Sequence, residues 1–259
     1  MLAKPGPGPG RAPGPIALAL LASLLCLPAW AADPSPDNDA ILRAADAARG
    51  NVGGMAWEVA IESHDGDRAR DSMVYEIKVR SFNIAGTSLA PAKYRGNKIL
   101  MLNTSMWFYK PGLSKPVPVS QRQKLLGEAA YGDIAATNYA DNYSATRLPD
   151  ENIDGDPCYV FDLRARDDKL TYDRIVYWVS KQRQTGIRAD YYTVSGKKFK
   201  SAAMDYQNSV RLDGQVRPFL SRITLRGELI NGSVTYLNLS KPRIGPVADY
   251  VFDLNLFMR

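Results

Sequence analysis

Histidine and cysteine are scarce in this sequence of 259 residues, which contains one histidine, His64, and two cysteines, Cys26 and Cys158. A serine or cysteine nucleophile normally needs a histidine as its base, and His64 falls in a predicted turn. Paired histidines, a CxxC motif and a glycine-rich phosphate loop are also absent from the sequence. We therefore predict no catalytic residue, no metal site and no cofactor, and we expect a protein that is not an enzyme.

A partial calcium motif lies in the second half of the chain. Asp150, Asn152, Asp154 and Gly155 match the first half of an EF-hand loop, but the twelfth position, which needs a bidentate glutamate, is Phe161. The flanking residues alternate like strands rather than helices. We interpret the segment as a polar hairpin turn.

Basic and aromatic residues are interleaved at Lys197, Lys198, Phe199 and Lys200, a mixture typical of proteins that bind single-stranded nucleic acid. Lysines along an edge strand, where they discourage pairing with another sheet, explain the same residues. The export signal described next favours the second interpretation, so we predict no nucleic-acid partner. The net charge of +6 is interpreted as an aid to solubility, with attraction to anionic lipid headgroups as the alternative.

The N-terminus has the three parts of a secretory signal peptide. Lys4 and Arg11 supply positive charge, Ile16–Leu27 is apolar but too short to span a bilayer, and Ala29–Ala31 places small residues at the cleavage positions. We predict a signal peptide over residues 1–31 that is cleaved near its last residue, so that the mature protein is exported. The alternative is a membrane anchor that is retained.

The predicted mature chain, residues 32–259, has a length that fits a single domain. Cys26 would be a lipidation site only if a small residue preceded it, and Leu25 does not fit that pattern. Cleavage leaves Cys158 as the only cysteine, so no internal disulfide can form. We expect one domain whose hydrophobic core needs no cross-link.

One amphipathic helix opens the mature chain. Ser35 is the predicted N-cap, followed by Pro36 and Asp37 in the first turn, and Gly50 is the predicted stop. An apolar stripe at helical spacing gives this helix one face to bury. The stripe consists of Ile41, Leu42, Ala45 and Ala48.

Beyond this helix the hydrophobic period changes to two, which indicates strands separated by turns such as Asp154–Gly155 and Ser195–Gly196. About ten strands follow in a meander, and an antiparallel sheet of that length must curl. Gln121–Tyr143 breaks the pattern with many small residues and predicts one or two short helices in a long insertion. The predicted fold class is α+β, mainly antiparallel β: an incomplete curled β-barrel with helices covering its concave face.

A single strand is predicted over Lys98–Tyr109, and it ends in three adjacent aromatic residues. Both of its faces are apolar at that end, so both must be covered, either by protein or by an apolar ligand. Alternation permits two orientations: either Trp107 and Tyr109 face inward, or Met106 and Phe108 do.

The segment Trp107-Phe108-Tyr109-Lys110-Pro111 resembles the Trp-Phe-Tyr-Asn-Pro strand of the periplasmic lipoprotein carrier LolA. The order of further motifs resembles the outer membrane lipoprotein-sorting family related to LolA, over most of Ala40–Leu256. These motifs are Gly96–Lys98, Gln121–Gly127, Gly132–Ile134, Asp154–Tyr159, Tyr177–Val179, Tyr191–Tyr192 and Ser195–Lys197.

This resemblance implies a LolA/LolB-like incomplete barrel in the periplasm, with a hydrophobic cavity that holds the acyl chains of a lipid or lipoprotein. It also implies an inner-membrane exporter of the RND or MMPL type as the source of the cargo and an outer-membrane acceptor as its destination. LolA has a buried arginine that helps to lock its lid, and no arginine of this sequence is matched to it.

Periodicity alone favours ordinary core positions for the inward-facing residues of the strands. The resemblance makes a role in lining the cavity comparably favoured. The predicted lining residues are Tyr75, Ile77, Val79, Leu100, Leu102, Trp107, Tyr109, Phe161, Leu163 and Tyr177. The predicted contacts from the helical lid are Ile41, Leu42, Ala45, Leu125, Leu126 and Ile134.

Two other functions stay open at this point. A structural or interaction module of a membrane export complex would carry no lipid, and it predicts tight packing between the sheet and the helices. An enzyme on the same fold would need a carboxylate deep among the aromatic residues, and no predicted strand carries one on its inward face.

Overall fold

The computed structural model of the protein describes residues 1–6, 8, 10, 37–135, 138–229 and 232–258. The predicted signal peptide's apolar segment Ile16–Leu27, its cleavage site near Ala31, and Ser35 and Pro36 lie outside these residues. The chain divides into two units, Met1–Ser35 and Pro36–Arg259. The described residues of the first unit are exposed and form neither helix nor strand. Within the described ranges, no helix combines the length and the apolar character that crossing a membrane requires.

Strands make up most of the second unit. Its described α-helices are α1 (Asn38–Ala48), α2 (Tyr131–Ala135) and α3 (Tyr139–Asn142). The strands of its first half are β1 (Met55–Asp65), β2 (Arg68–Arg80), β3 (Asn83–Ala90), β4 (Lys98–Leu102), β5 (Ser105–Tyr109), β6 (Val117–Val119), β7 (Lys124–Leu126) and β8 (Ala129–Ala130). Those of its second half are β9 (Tyr143–Ile153), β10 (Asp156–Ala165), β11 (Arg174–Ser180), β12 (Gly186–Tyr192), β13 (Lys198–Asp205), β14 (Asn208–Leu212), β15 (Gln215–Phe219), β16 (Arg222–Gly227) and β17 (Ser233–Ile244).

Helix α1 forms where its apolar stripe predicts it, and the four stripe residues are buried. It begins at Asn38, and its N-cap, Asp37, is two residues later than the predicted cap. The Asp37 side chain accepts a hydrogen bond of 3.2 Å from the backbone N–H of Asp39, which satisfies one free donor of the first turn. Gly50, with a φ of +106°, ends the helix as predicted.

Thirteen strands form one antiparallel sheet in the order β6-β5-β4-β3-β2-β1-β17-β16-β13-β12-β11-β10-β9. The mainly antiparallel, curled and unclosed sheet of the predicted fold class is thereby confirmed. The predicted simple meander is wrong at one place, because β1 pairs with β17, with Ile61 opposite Leu237. The first and last strands of the fold therefore join two meanders at the centre of the sheet.

The sheet stays open because its edge strands, β6 and β9, do not pair with each other in the described part of the chain. Each edge contains a proline, Pro118 in β6 and Pro149 in β9. Proline has no N–H to donate to a ladder, so both edges are poor templates for another strand.

The two faces of the sheet are covered by different parts of the chain. One face, which carries Tyr75, Ile77 and Val79 of β2, packs against the helices in the main hydrophobic cluster and is called the inner face below. The opposite, outer face has a separate cluster on β10 and β11 that includes Cys158 and Trp178. Both faces therefore carry clusters of apolar side chains.

Two local predictions are corrected by the structure. Residues 98–109 form the two strands β4 and β5, joined by a turn in which Asn103 has a φ of +53°, instead of one strand. Residues 121–142 contain the β7–β8 hairpin as well as the helices α2 and α3. Leu125 and Leu126 therefore lie on a strand and not on a helix.

Replacement of Gly186 by alanine should destabilise the fold, because a Cβ atom there would lie 1.7 Å from the hydroxyl oxygen of the buried Tyr177. Overpacking of this kind costs about 1–3 kcal/mol. Urea unfolding followed by circular dichroism measures the loss. Gly53→Ala is the matched control, since a Cβ at Gly53 meets nothing within 4 Å; equal losses in the two variants would contradict the prediction.

Candidate functional site: the inner face and its cover

The inner face is a continuous apolar surface built from strands that are distant in sequence. Strand β1 contributes Trp57, Val59 and Ile61, in the middle of the sheet. Six of the predicted lining residues are buried on this face in the same cluster: Tyr75, Ile77, Val79, Phe161, Leu163 and Tyr177. The structure thus brings β2, β10 and β11 together on one surface.

The other four predicted lining residues lie on the outer face. Leu100 packs against Phe252 and Phe257 of the C-terminal segment, with Leu102 and Tyr109 beside it. Trp107 stands directly opposite Leu100 in the β4–β5 pair and therefore shares its face. The predicted inward orientation of Leu100, Leu102, Trp107 and Tyr109 is wrong, and the alternative orientation is the one observed. The inward positions are occupied by Ile99, Met101, Met106 and Phe108.

We call α1 together with the described residues of 121–142 the cover, because they pack on the inner face. The predicted lid residues in the helices, Ile41, Leu42, Ala45 and Ile134, are buried in the main cluster. Leu125 and Leu126 on β7 are partly buried against the same cluster. The six predicted lid residues are therefore all in contact with the inner face.

The cover packs closely on the inner face beside Trp57 and less closely near its α2–α3 end. There, a pocket of about 220 Å³ lies between Ile84 and Met101 of the inner face and Ala135 and Asn138 of the cover. Beside Trp57, a void of about 20 Å³ is bordered by residues that include Arg49 and Asp133, and a void of this size holds about one water molecule. The cover also approaches the loop between β10 and β11 closely at Gly132, where a Cβ atom would lie 1.8 Å from Oγ1 of Thr171. In this conformation the space beside Trp57 has no room for an acyl chain.

Asp46, in the last turn of α1, makes a polar contact between two parts of the cover. Its carboxylate is fully buried, and Oδ2 accepts a hydrogen bond of 2.8 Å from the backbone N–H of Ala140 in α3. Oδ1 has no hydrogen-bond partner in the part of the chain that the structure describes. Burial raises the pKa of Asp46 to about 7, although the charge of Arg49 opposes this shift. The joint between α1 and α3 therefore contains a carboxyl group that titrates near neutral pH.

Arg49, directly after α1, is a buried cation at the same joint. Its guanidinium group lies 4.2 Å from the centre of the Tyr139 ring in α3, a distance at which a cation and an aromatic face attract each other. Arg49 also borders the interior void, next to the inner-face residue Trp57. The end of α1 is thus held to α3 by a carboxylate and a cation that are both shielded from water.

A second polar contact joins the cover to the sheet. Lys200 of β13 is buried on the inner face, and its Nζ donates a hydrogen bond of 2.8 Å to Oδ2 of Asp133 in α2. Tyr172 donates its hydroxyl proton to Oδ1 of Asp133 over 2.5 Å. Burial, with the carboxylate of Asp133 alongside, raises the pKa of Tyr172 well above its usual value, so the phenol keeps this proton. The contact is an ion pair whose two side chains are about 95% buried.

Sequence reasoning misses these charged residues as parts of a site, although the pattern contains a signal for them. Asp46 and Arg49 follow Leu42 at spacings of four and seven, so they continue the apolar stripe of α1. Lys200 has the same strand phase as the buried Ala202. Its interpretation as an edge-strand lysine is wrong, because β13 pairs with β12 on one side and β16 on the other.

Comparisons with known proteins show which of them share this fold. A family model described as an uncharacterized protein matches residues 87–259. A comparison with curated proteins gave no match. Among solved structures, an outer membrane lipoprotein-sorting protein domain from Vibrio parahaemolyticus has a TM-score of 0.71 at 17% identity, covering 85% of this chain and 98% of that one. A DUF1329 family protein from Desulfovibrio piger has a TM-score of 0.70 at 19% identity, covering 84% and 96%. At these identities, the two structures show a shared fold.

A further structure shows a closer relationship. A LolA superfamily protein from Nitrosomonas europaea is 30% identical, with a TM-score of 0.76, and the match covers 85% of this chain and 99% of that protein. The aligned length is therefore nearly the whole relative and most of the chain described above. This chain belongs to the LolA superfamily.

Proposed function

We propose that the protein is a periplasmic, non-enzymatic carrier that shelters the acyl chains of a lipid or lipoprotein between the inner face and the cover. The observation that supports this most directly is the open sheet whose apolar inner face is covered by α1 and the short elements of residues 121–142. Residues 1–31 are the signal peptide in this proposal, and residues 32–259 form the carrier domain. An inner-membrane exporter of the RND or MMPL type would supply the cargo, and an acceptor at the outer membrane would receive it.

The physical need for such a carrier is clear from the chemistry of lipids. Exposure of an acyl chain to water costs about 0.8 kcal/mol for each methylene group. A molecule with two or three long chains therefore cannot cross an aqueous compartment alone at a useful rate. A dry apolar surface removes this cost without any chemical reaction.

Because the space beside Trp57 is closely packed, the cover must move before acyl chains can reach the middle of the inner face. Helices α2 and α3 have five and four residues, which is far below the length at which a helix is stable by itself. Their position therefore depends on contacts with α1 and with the sheet. On release of the cover, Trp57, Tyr75, Ile77 and their neighbours on the inner face would become the lipid-binding surface.

A second candidate, a structural or interaction module that carries no lipid, is favoured by the small interior void. The enzyme alternative has less support. Asp133 is a carboxylate among aromatic residues, but its two oxygens already accept hydrogen bonds from Tyr172, Ala130 and Lys200. A carboxylate bound in this way is suited to holding the cover and not to proton transfer.

Quenching of tryptophan fluorescence distinguishes a lipid carrier from a structural module that carries no lipid. Lipids with brominated acyl chains should strongly quench Trp57, which lies on the inner face, and should leave Trp178 on the outer face unchanged. The two reporters are measured in variants whose other tryptophans are replaced by phenylalanine. Native mass spectrometry of gently purified protein should show bound lipid. Equal quenching at the two positions, or no quenching together with a mass free of lipid, would contradict the carrier proposal.

The buried carboxyl of Asp46 should make the stability of the closed form depend on pH. Its pKa is raised to about 7 in the folded state, so the stability that protonation provides is fully present below the unfolded-state pKa and is lost as pH rises toward and through 7. Asp46→Asn removes this dependence. We expect the variant to gain about 2 kcal/mol over the wild type between pH 5 and pH 8.

Urea unfolding at the two pH values measures this gain. Asp39→Asn is the matched control, because it removes a carboxylate from the exposed face of the same helix. The prediction fails if the Asp46→Asn variant shows the same difference from the wild type at pH 5 and at pH 8, or if the control shows the larger gain at pH 8.

A further inference from the structure

A cleft of about 620 Å³ opens on the surface where the cover meets β12 and β13. This volume is within the usual range of small-molecule binding sites. Aromatic side chains and cations share its walls, a combination that suits a molecule with an apolar part and an anionic group. Its lining includes Arg122, Lys124, Tyr172, Tyr192, Phe199 and Lys200. The acidic residues Glu128 and Asp173 also line it, and Asp173 is paired with Arg122 at 2.8 Å.

Lys200 connects this cleft to the closure of the cover. The amine is attached to the sheet, whereas its two hydrogen-bond acceptors, Oδ2 of Asp133 at 2.8 Å and the backbone carbonyl of Glu128 at 3.0 Å, belong to the cover. The rings of Tyr172 and Tyr191 lie 4.7 and 5.3 Å from the same nitrogen. If acyl chains took the place of the cover, both acceptors would be lost and the cation would lie against hydrocarbon.

Asp133 forms the partition between the cleft and the interior. Its carboxylate binds Lys200, which lines the cleft, and the same residue borders the interior void. A buried ion pair is strongly destabilised when one partner is removed, because the other charge is left without compensation. Replacement of the cover by hydrocarbon would therefore leave Lys200 in need of another anion, and the cleft, which Lys200 lines, offers a route for one.

We infer that the cargo is an anionic amphiphile whose carboxylate or phosphate group enters this cleft and replaces Asp133 at Lys200, so that binding of the head group itself releases the cover. This inference rests on the proposed carrier function, since it names the class of lipid that the carrier accepts. Free inorganic phosphate has the same anionic group but no acyl chain to occupy the inner face, so it should not bind stably.

The test compares fluorescent acyl probes that share one chain and differ in the head group: a carboxylate, a phosphate monoester or an uncharged alcohol. Inorganic phosphate alone is the fourth arm. Wild-type protein should bind the two anionic probes about tenfold more tightly than the alcohol, which is the scale of a hydrogen bond to a charged group. Inorganic phosphate should neither bind nor displace the probes.

Two variants test whether the preference for anionic head groups arises from the buried Lys200–Asp133 pair. Lys200→Met should abolish the preference for anionic heads. Asp133→Asn keeps the shape of the side chain and removes the competing charge, so it should bind the anionic probes more tightly and the alcohol with little change. If Lys200→Met does not fold by circular dichroism, Asp133→Asn decides the question alone. Lys197→Met is the matched control, because Lys197 is an exposed lysine just before β13 that does not line the cleft, and its preference should stay as in the wild type.

The outcomes separate this inference from the function on which it rests. If all acyl probes bind with equal affinity, or if Lys197→Met removes the preference as completely as Lys200→Met, the role of Lys200 is overturned while the carrier proposal stands. An Asp133→Asn variant that weakens binding of the anionic probes also overturns it. If no acyl probe binds, the carrier proposal fails as well.

Discussion

The inner face of the sheet has to be covered by segments that lie outside the sheet, since its edges do not meet. A closed barrel of about eight strands can fill its interior with side chains from its own strands. Here the open sheet leaves that task to α1 and to residues 121–142, whose helices are too short to be stable alone. The few contacts that hold them therefore decide whether the inner face is buried. Those contacts include two buried charged groups from the cover, Asp46 and Asp133, with buried cations beside them.

The outer face shows how differently the same chain covers an apolar surface. Phe252 and Phe257 of the C-terminal segment pack on Leu100, and a charged contact of this segment, between Arg80 and Asp249, is at the solvent-exposed rim. Loss of an exposed ion pair costs at most about 1 kcal/mol, whereas loss of one partner from a buried pair costs about 3–5 kcal/mol. Apolar packing thus contributes more to the outer covering than this ion pair does. Closure over the inner face depends on charge much more strongly.

The sequence is informative where burial follows a local period and misleading where it does not. The stripe of α1 and the alternation in β2 are local, so both were predictable, down to the inward positions of Tyr75 and Ile77. The orientation of β4 and β5 was not predictable, because apolar residues occupy both of their faces. The deciding contact comes from Phe257, about 150 residues later in the chain. The pairing of β1 with β17 is equally non-local. The buried charged residues were not predicted, because a polar residue in a sequence is normally assigned to the surface.

A cover that is held by buried charged groups explains how a closely packed interior is compatible with a function in lipid transport. An apolar contact between cover and sheet would compete with acyl chains on equal terms, since hydrocarbon of either origin is sheltered equally well on the inner face. Such a contact would not distinguish one amphiphile from another. The Lys200–Asp133 pair is different, because an isolated buried cation is so unfavourable that hydrocarbon alone cannot replace the carboxylate. Buried ion pairs often add little net stability over an apolar packing of the same shape. Their use here makes more sense as a condition for opening: the interior would become available to a ligand that brings its own negative charge and would stay closed to the rest.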